Sequence, residues 1–287
     1  MNIIIGAIFI FAIFAIFACI ISIIHIYKII KKIYLLKNKL IKNNCIIIWN
    51  KPNRNNIDKL ILLIFEYICD DIIFDIDFHD KIIKKLKNNI ITNTITNTIT
   101  NTITNTITNI IIDTTGGNIS SNDILIDFIL KSKIKLNIFV PRKAQSAGTL
   151  FAFSANNLYI NKNAYLSPTD PQITFENETY SIKSFMELCD NKDINYITDK
   201  YLLYYYENKK LYNENVTLLT KLLENKFKKN IKGIQKNNLI YELTSGIYSH
   251  HKPLSGLYLS TYLNINLNLP QNIIDINELF EYIELYL

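Results

Sequence analysis

From Met1 to Tyr27 the chain carries no Lys, Arg, Asp or Glu. The run IIIGAIFIFAIFAIFACIISIIHIY is apolar on every face that a helix could present. About 20 consecutive apolar residues cross a bilayer as a helix, so this stretch is long enough with some tilt. A cleaved signal peptide fits poorly: no basic leader precedes the run, the run is too long, and no A-x-A site follows. A helix of a soluble core is rarely apolar all round. His25, near its end, reads as an interfacial residue rather than a ligand. Lys28, Lys31, Lys32, Lys37, Lys39 and Lys42 follow at once, and no acidic residue appears before Asp58. The positive-inside rule places that side in the cytoplasm. The expectation is a single-pass anchor at 1–27, N-terminus outside, a basic stem at 28–44, and a cytosolic domain over 45–287.

The lysine cluster supplies much of the net charge of +6, and anionic headgroups suffice to explain it. No nucleic-acid partner is needed. Cysteines stand at 19, 45, 69 and 189 without a CxxC pair, which excludes a zinc ribbon and a disulfide scaffold and suits a reducing compartment. No cofactor or metal is expected: His79 and the cysteines lack ligand spacing.

Past the stem, CIIIWN (45–50) reads as a buried strand and HDKIIKKLKNN (79–89) as an amphipathic helix. Between them lie a polar break, KPNRNN, and an apolar helical or strand pattern, DKLILLIFEYICDDI. The insertion at 90–109 holds ITNT four times and then ITN. A period of four matches neither a helical turn nor a heptad, and an expanded repeat tolerated in a surface loop explains it. NIIID (109–113) is then a strand ending in Thr-Thr-Gly-Gly. SSNDILIDFILK is a helix with Ser or Asn as cap. KLNIFVP (135–141) is a second buried strand, followed by RKAQSAGT, a small-residue helix LFAFSANN, the strand LYI, and a loop, NAYLSPTDPQ. This alternation of strand, small-residue turn and helix signals an α/β fold with a parallel sheet. From Tyr180 onward the chain reads as mostly helical, broken once at 243–256.

Two turns carry candidate chemistry. Gly116-Gly117 follows a strand and precedes a helix, where peptide N–H groups unobstructed by Cβ can face a developing oxyanion. Its spacing is not GxGxxG, so a dinucleotide site is disfavoured. Gln145-Ser146-Ala147-Gly148-Thr149 also follows a strand; small neighbours would leave the Ser146 hydroxyl exposed at a helix start. Alone, each pattern is more often simple helix packing.

DTTGG, IFVP, AQSAGT and LSPTDPQ, in that order, resemble the succession HTPGG, VFVP, AMSGGT and LGPVDPQ of the serine dehydrogenase proteinase family. That family is a membrane-anchored branch of the ClpP/crotonase superfamily, related to signal peptide peptidase A. The N-terminal anchor and basic stem also resemble the family's, and LTSGIYSHHKPL (243–254) is similar to its late segment. The resemblance spans nearly the whole chain apart from the repeat. It implies a ClpP/crotonase-like ββα spiral and serine peptidase chemistry through an acyl-enzyme. Ser146 matches the nucleophile, and the N–H groups of Gly117 and Ala147 match the oxyanion hole. Lys183, in YSIKSF, lies at the offset where the family places a lysine, and a Ser146–Lys183 dyad is the expected centre. Asp170 falls near where ClpP enzymes carry their catalytic His, and stays open as an alternative base or a loop-shaping residue. His250 and His251 stay open as bases too. Asp113 departs from the family's His, Thr115 from its Pro and Ala147 from its Gly. The resemblance further implies a homo-oligomer and a peptide or membrane-protein substrate at the lipid bilayer. The competing readings are a catalytically inactive scaffold of the same fold and a crotonase-like acyl-CoA enzyme.

Overall fold

The computed structural model describes residues 45–49, 72–74, 79–88, 107–132, 134–175 and 177–286, with scattered helical positions between 20 and 35. Most of the expected anchor and stem, the polar break, most of the apolar segment after it and most of the repeat lie outside the described residues. Among the described residues, no helix is long and apolar enough to cross a membrane.

A five-stranded parallel sheet forms the centre, in the order β2-β1-β3-β4-β6. Its strands are β1 (Cys45–Trp49), β2 (Ile72–Phe74), β3 (Thr108–Asp113), β4 (Leu136–Val140) and β6 (Asn157–Ile160). The register places like residues side by side. Ile46 pairs with Ile110, Ile110 with Ile138, and Ile138 with Leu158. Residues on one face of β1, β3, β4 and β6 thereby join one apolar layer. Ile47, Ile111 and Phe139, on the other face, are buried as well. Burial on both faces is why these strands read as unbroken apolar runs rather than alternating ones, as parallel sheets do.

Helix α1 (79–88) buries Ile82 and Leu86, one turn apart, in the same layer. Helix α2 (Ile119–Ser132) follows β3, and the Asn118 side chain accepts from Ser121 N at 3.2 Å, the expected cap. Helix α3 (Ala147–Phe153) begins directly after Ser146, three residues earlier than the small-residue pattern suggests. Gly148 N already donates to Gln145 O, and Thr149 N to Ser146 O.

A second sheet, β10-β7-β5, is built from two-residue strands, too short for sequence periodicity to reveal: β5 (Lys143–Ala144), β7 (Tyr165–Leu166) and β10 (Leu254–Ser255). Strands β4 and β5 and helix α3 make a ββα unit with one strand in each sheet, and β6 and β7 repeat the strand pair. A hairpin of β8 (Gln172–Phe175) and β9 (Glu178–Ser181) then leads into helices α4 (Ile182–Asp190) and α5 (Asp199–Leu223). These carry a small apolar cluster of their own, with Ile173, Ile182, Met186 and Tyr205. Helices α6 (Gly233–Thr244), α7 (Gly256–Tyr262) and α8 (Gln271–Tyr286) complete the chain.

Candidate active site

The two small-residue turns lie against each other at the ends of β3 and β4. Thr114 N donates to Lys143 O, and Gln145 N donates back to Thr114 O at 3.0 Å. This short bridge continues the parallel pairing past the sheet and brings Gly116 onto Ser146. Gly116 has φ +109°, and a Cβ there would stand 2.8 Å from Ser146 Cβ and 3.4 Å from Ala147 N. A Cβ on Gly148 would reach within 2.4 Å of Thr114 Cγ2. Both glycines are thus needed for the approach, and no other side chain fits without displacing the turns.

Ser146 itself sits at φ 51°, ψ −119°, a conformation that L-residues rarely adopt. Holding a non-glycine residue there costs about 1–3 kcal/mol, and such strain concentrates at functional sites. The strain falls at the strand-to-helix turn, where Ser146 is half-buried directly before α3. Ser146 N donates to Ser167 Oγ at 2.8 Å. Thr149, fully buried, donates to Ala144 O and to Ser167 O and accepts from Ser167 N. These bonds fix the turn to the loop after β7.

Two backbone donors lie on these abutting turns. The N–H groups of Gly117 and Ala147 find no acceptor among the described residues, although the neighbouring N–H groups of Gly116, Ser146, Gly148 and Thr149 are all bonded. Donors left open where two turns abut can serve an oxyanion.

The loop from Ser167 runs on to Asp170, whose carboxylate is buried. Asp170 Oδ1 lies 2.8 Å from His250 Nδ1, and Oδ2 accepts from Gln172 Nε2 at 2.6 Å. Thr169 N and Oγ1 both donate to Leu243 O, near the end of α6. That anchorage brings the following turn, with His250, over the loop. The His250 ring is 18% exposed against 1% for Asp170, so the pair is buried at the acid and open at the base. His251 stands edge-on to His250, ring centroids 5.4 Å apart, and makes no bond to Asp170.

Of the residues singled out by sequence, the structure therefore gathers Gly117, Ser146 and Ala147 in one place and pairs Asp170 with His250. Lys183 lies in the first turn of α4, where its ammonium pairs with Glu187 at 3.4 Å on a partly exposed face. Among the described residues, no hydrogen bond joins the Ser146 hydroxyl to Lys183 or to His250. Sequence reasoning passed over Ser167, Thr149 and Gln172. The first and last stand in the LSPTDPQ segment, which marks the loop without revealing which atoms it aims. Among the described residues, no group of three or more His, Cys, Asp or Glu side chains is placed to hold a metal ion.

Two uncharacterized proteins of Methanocaldococcus jannaschii are 28% identical over 172 residues and 26% identical over 173 residues. These alignments cover 59% and 60% of this chain, which spans only 56% and 57% of the relatives' own length. Among solved structures, ClpP1 from Listeria monocytogenes is similar over 83% of this chain and 99% of its own, at 14% identity and a TM-score of 0.45. The family model described as ClpP-like SDH-type serine proteinase matches residues 8–284. The chain belongs to that family, the serine dehydrogenase proteinases that its turn motifs resemble.

Proposed function

We propose that this chain is a membrane-anchored serine peptidase in which Ser146 is the nucleophile and the His250–Asp170 pair is the base. The observation that carries this reading is the strained Ser146 beside two N–H groups with no acceptor among the described residues. Asp170 holds His250 through Nδ1, which leaves Nε2 to accept the serine proton. Ser146 Oγ then attacks the scissile carbonyl carbon. The carbonyl π electrons move to oxygen, and the oxyanion accepts hydrogen bonds from Gly117 and Ala147. Collapse expels the amine, which takes the proton from the imidazolium. Water, deprotonated by the same base, hydrolyses the ester and frees Ser146. The chain order Ser, Asp, His places the acid where ClpP enzymes carry their histidine, and the histidine later.

Ser146 and His250 are linked by a continuous path, from Ser146 N to Ser167 and along four residues to Asp170. A catalytic hydrogen bond that is long in a free enzyme and closes with substrate is common. Lys183 is the second reading of the base; its contact with Glu187 disfavours it.

Exposed apolar residues at the helical positions Ile20, Ile23, Ile24 and Tyr27 support the anchor, because lipid rather than protein is the partner such side chains suit. With the lysines beyond, they support a single span with the N-terminus outside and the catalytic domain in the cytosol. A peptide or membrane-protein substrate and a homo-oligomer belong to the same proposal.

The test is labelling of the full chain in detergent with a fluorophosphonate probe across pH 6–10. Ser146→Ala should abolish it. His250→Ala and Asp170→Asn should slow it by about 10³-fold or more, the scale of losing a triad partner. Lys183→Ala should label at nearly the wild-type rate. Labelling that survives Ser146→Ala overturns the nucleophile; loss in Lys183→Ala with none in His250→Ala moves the base to Lys183.

A further inference from the structure

Gly246 stands just past the end of α6, with φ +67°. A glycine beyond a helix end commonly takes this left-handed form, and ending a helix asks nothing more of it. Here it also makes an approach that capping does not require. A Cβ on Gly246 would stand 2.4 Å from Ser181 Oγ, 3.0 Å from Ser181 Cβ and 3.6 Å from Asp170 Oδ2. The segment that leads to His250, four residues on, thus passes directly against the hairpin that follows the Asp170 loop. Ser181 closes β9 and pairs in register with Gln172, whose amide donates to Asp170 Oδ2 at 2.6 Å. Directly opposed residues of an antiparallel pair put their side chains on one face. One rung therefore holds both the amide that fixes the acid and the serine against which the histidine's turn rests. The Ser181 hydroxyl is buried without a hydrogen-bond partner among the described residues, and it makes no side-chain cap for α4. Resting on the peptidase reading, we propose that Gly246 is a positioning residue: its bare Cα, seated on Ser181, sets His250 against Asp170.

The segment is tied on both sides of Gly246. Before it, Leu243 O accepts from Thr169 N and Oγ1. After it, His250 Nδ1 lies 2.8 Å from Asp170 Oδ1. A side chain at position 246 would lift the chain off Ser181 while Leu243 stays held. The displacement would fall on the His250 end, where the ring is the more exposed half of its pair. A misplacement of about 1 Å at such a site can lower a rate about 10²-fold. A role exercised through one pair has a signature that general support of the fold lacks: its effect disappears once that pair is already broken.

The experiment measures saturation kinetics of fluorophosphonate labelling on the full chain in detergent, separating the maximal rate from the probe's half-saturation, together with thermal melting. Gly246→Ala should lower the maximal rate by about 10²-fold, with half-saturation within about twofold. Ser181→Gly clears the space that the new methyl needs, and glycine at a helix start costs little. The double variant, Ser181→Gly with Gly246→Ala, should label about tenfold faster than Gly246→Ala alone. In an Asp170→Asn background, adding Gly246→Ala should cost about threefold or less. A further loss of about tenfold or more in that background, no recovery in the double, or an effect on half-saturation alone would overturn the inference. If Gly246→Ala lacks a cooperative melt, the double variant decides: restored melting and labelling support the contact, and a double that still does not melt cooperatively overturns it. A folded wild type that never labels, or one whose labelling is indifferent to His250→Ala, defeats the reading of the centre and this inference with it. A wild type that labels through His250 and Asp170, with Gly246→Ala at the same rate, defeats this inference alone.

Discussion

Around Ser146 the chain has no spare room. Gly116 and Gly148 each meet a neighbour at under 3 Å if given a Cβ, and Thr114, Ala144, Ala147 and Thr149 are all buried. In the arm formed by α4 and α5 the opposite holds. Ile194, Tyr196 and Leu203 stand 60%, 79% and 69% exposed, and the arm's own cluster holds four buried side chains. The first region fixes a geometry by excluding every alternative. The second keeps its helical shape while leaving large apolar side chains mostly exposed among the described residues. On the proposed reading, the chemistry sits on the close-packed turns, while exposed apolar side chains gather on the arm.

The sharpest way to break this comparison is Gly148→Ala. The new methyl would collide with Thr114 Cγ2, on a β-branched side chain with little freedom to turn away, and should destabilise the fold by about 1–3 kcal/mol. Adding Thr114→Ser removes that methyl, keeps the hydroxyl, and should recover most of the loss in thermal melting. A double variant no more stable than Gly148→Ala would show that the turns are not limited by this contact.

A smaller effect tests the joint between the regions. Lys226, just past α5, donates its ammonium to Ala155 O behind α3, and burial lowers its pKa from the ordinary 10.5 to about 8. The unfolded chain therefore binds more protons than the folded one between those values, so stability should rise as pH increases from about 8 to 10.5. Lys226→Met should abolish that slope in melts taken across the range. A slope unchanged in Lys226→Met would place its origin elsewhere.

The smallest effects belong to the arm. Tyr196→Ser and Leu203→Ser should each change monomer stability by no more than about 0.5 kcal/mol, measured by denaturant unfolding. A loss above about 2 kcal/mol in dilute solution would mean that these side chains are buried by something the described residues do not include.

The same contrast explains what can be read from the sequence. The sheet is legible because CIIIW, NIIID and LNIFV are apolar on both faces, and both faces are buried. Gly117, Ser146 and Ala147 are legible because small residues gather where strands end and chain must approach chain. The Asp170–His250 contact is not legible: 80 residues separate the two, and only the return of α6 over the loop, through Thr169 and Leu243, brings them together. Asp113 reads in sequence as a departure from a family pattern, and nothing in the letters names Arg142 as a donor to it. Lys183 shows the converse, since an offset along the chain fixes neither the face of a helix nor the neighbour found there.

The backbone angle of Ser146 has a consequence for descent. Glycine would take φ 51° without strain, so a serine there carries a conformational cost that a glycine would not. A protein kept only for its shape would have nothing to hold a serine there, and drift would tend to replace it. On the proposed reading, the hydroxyl at an unfavourable angle argues for a working centre over a relict one.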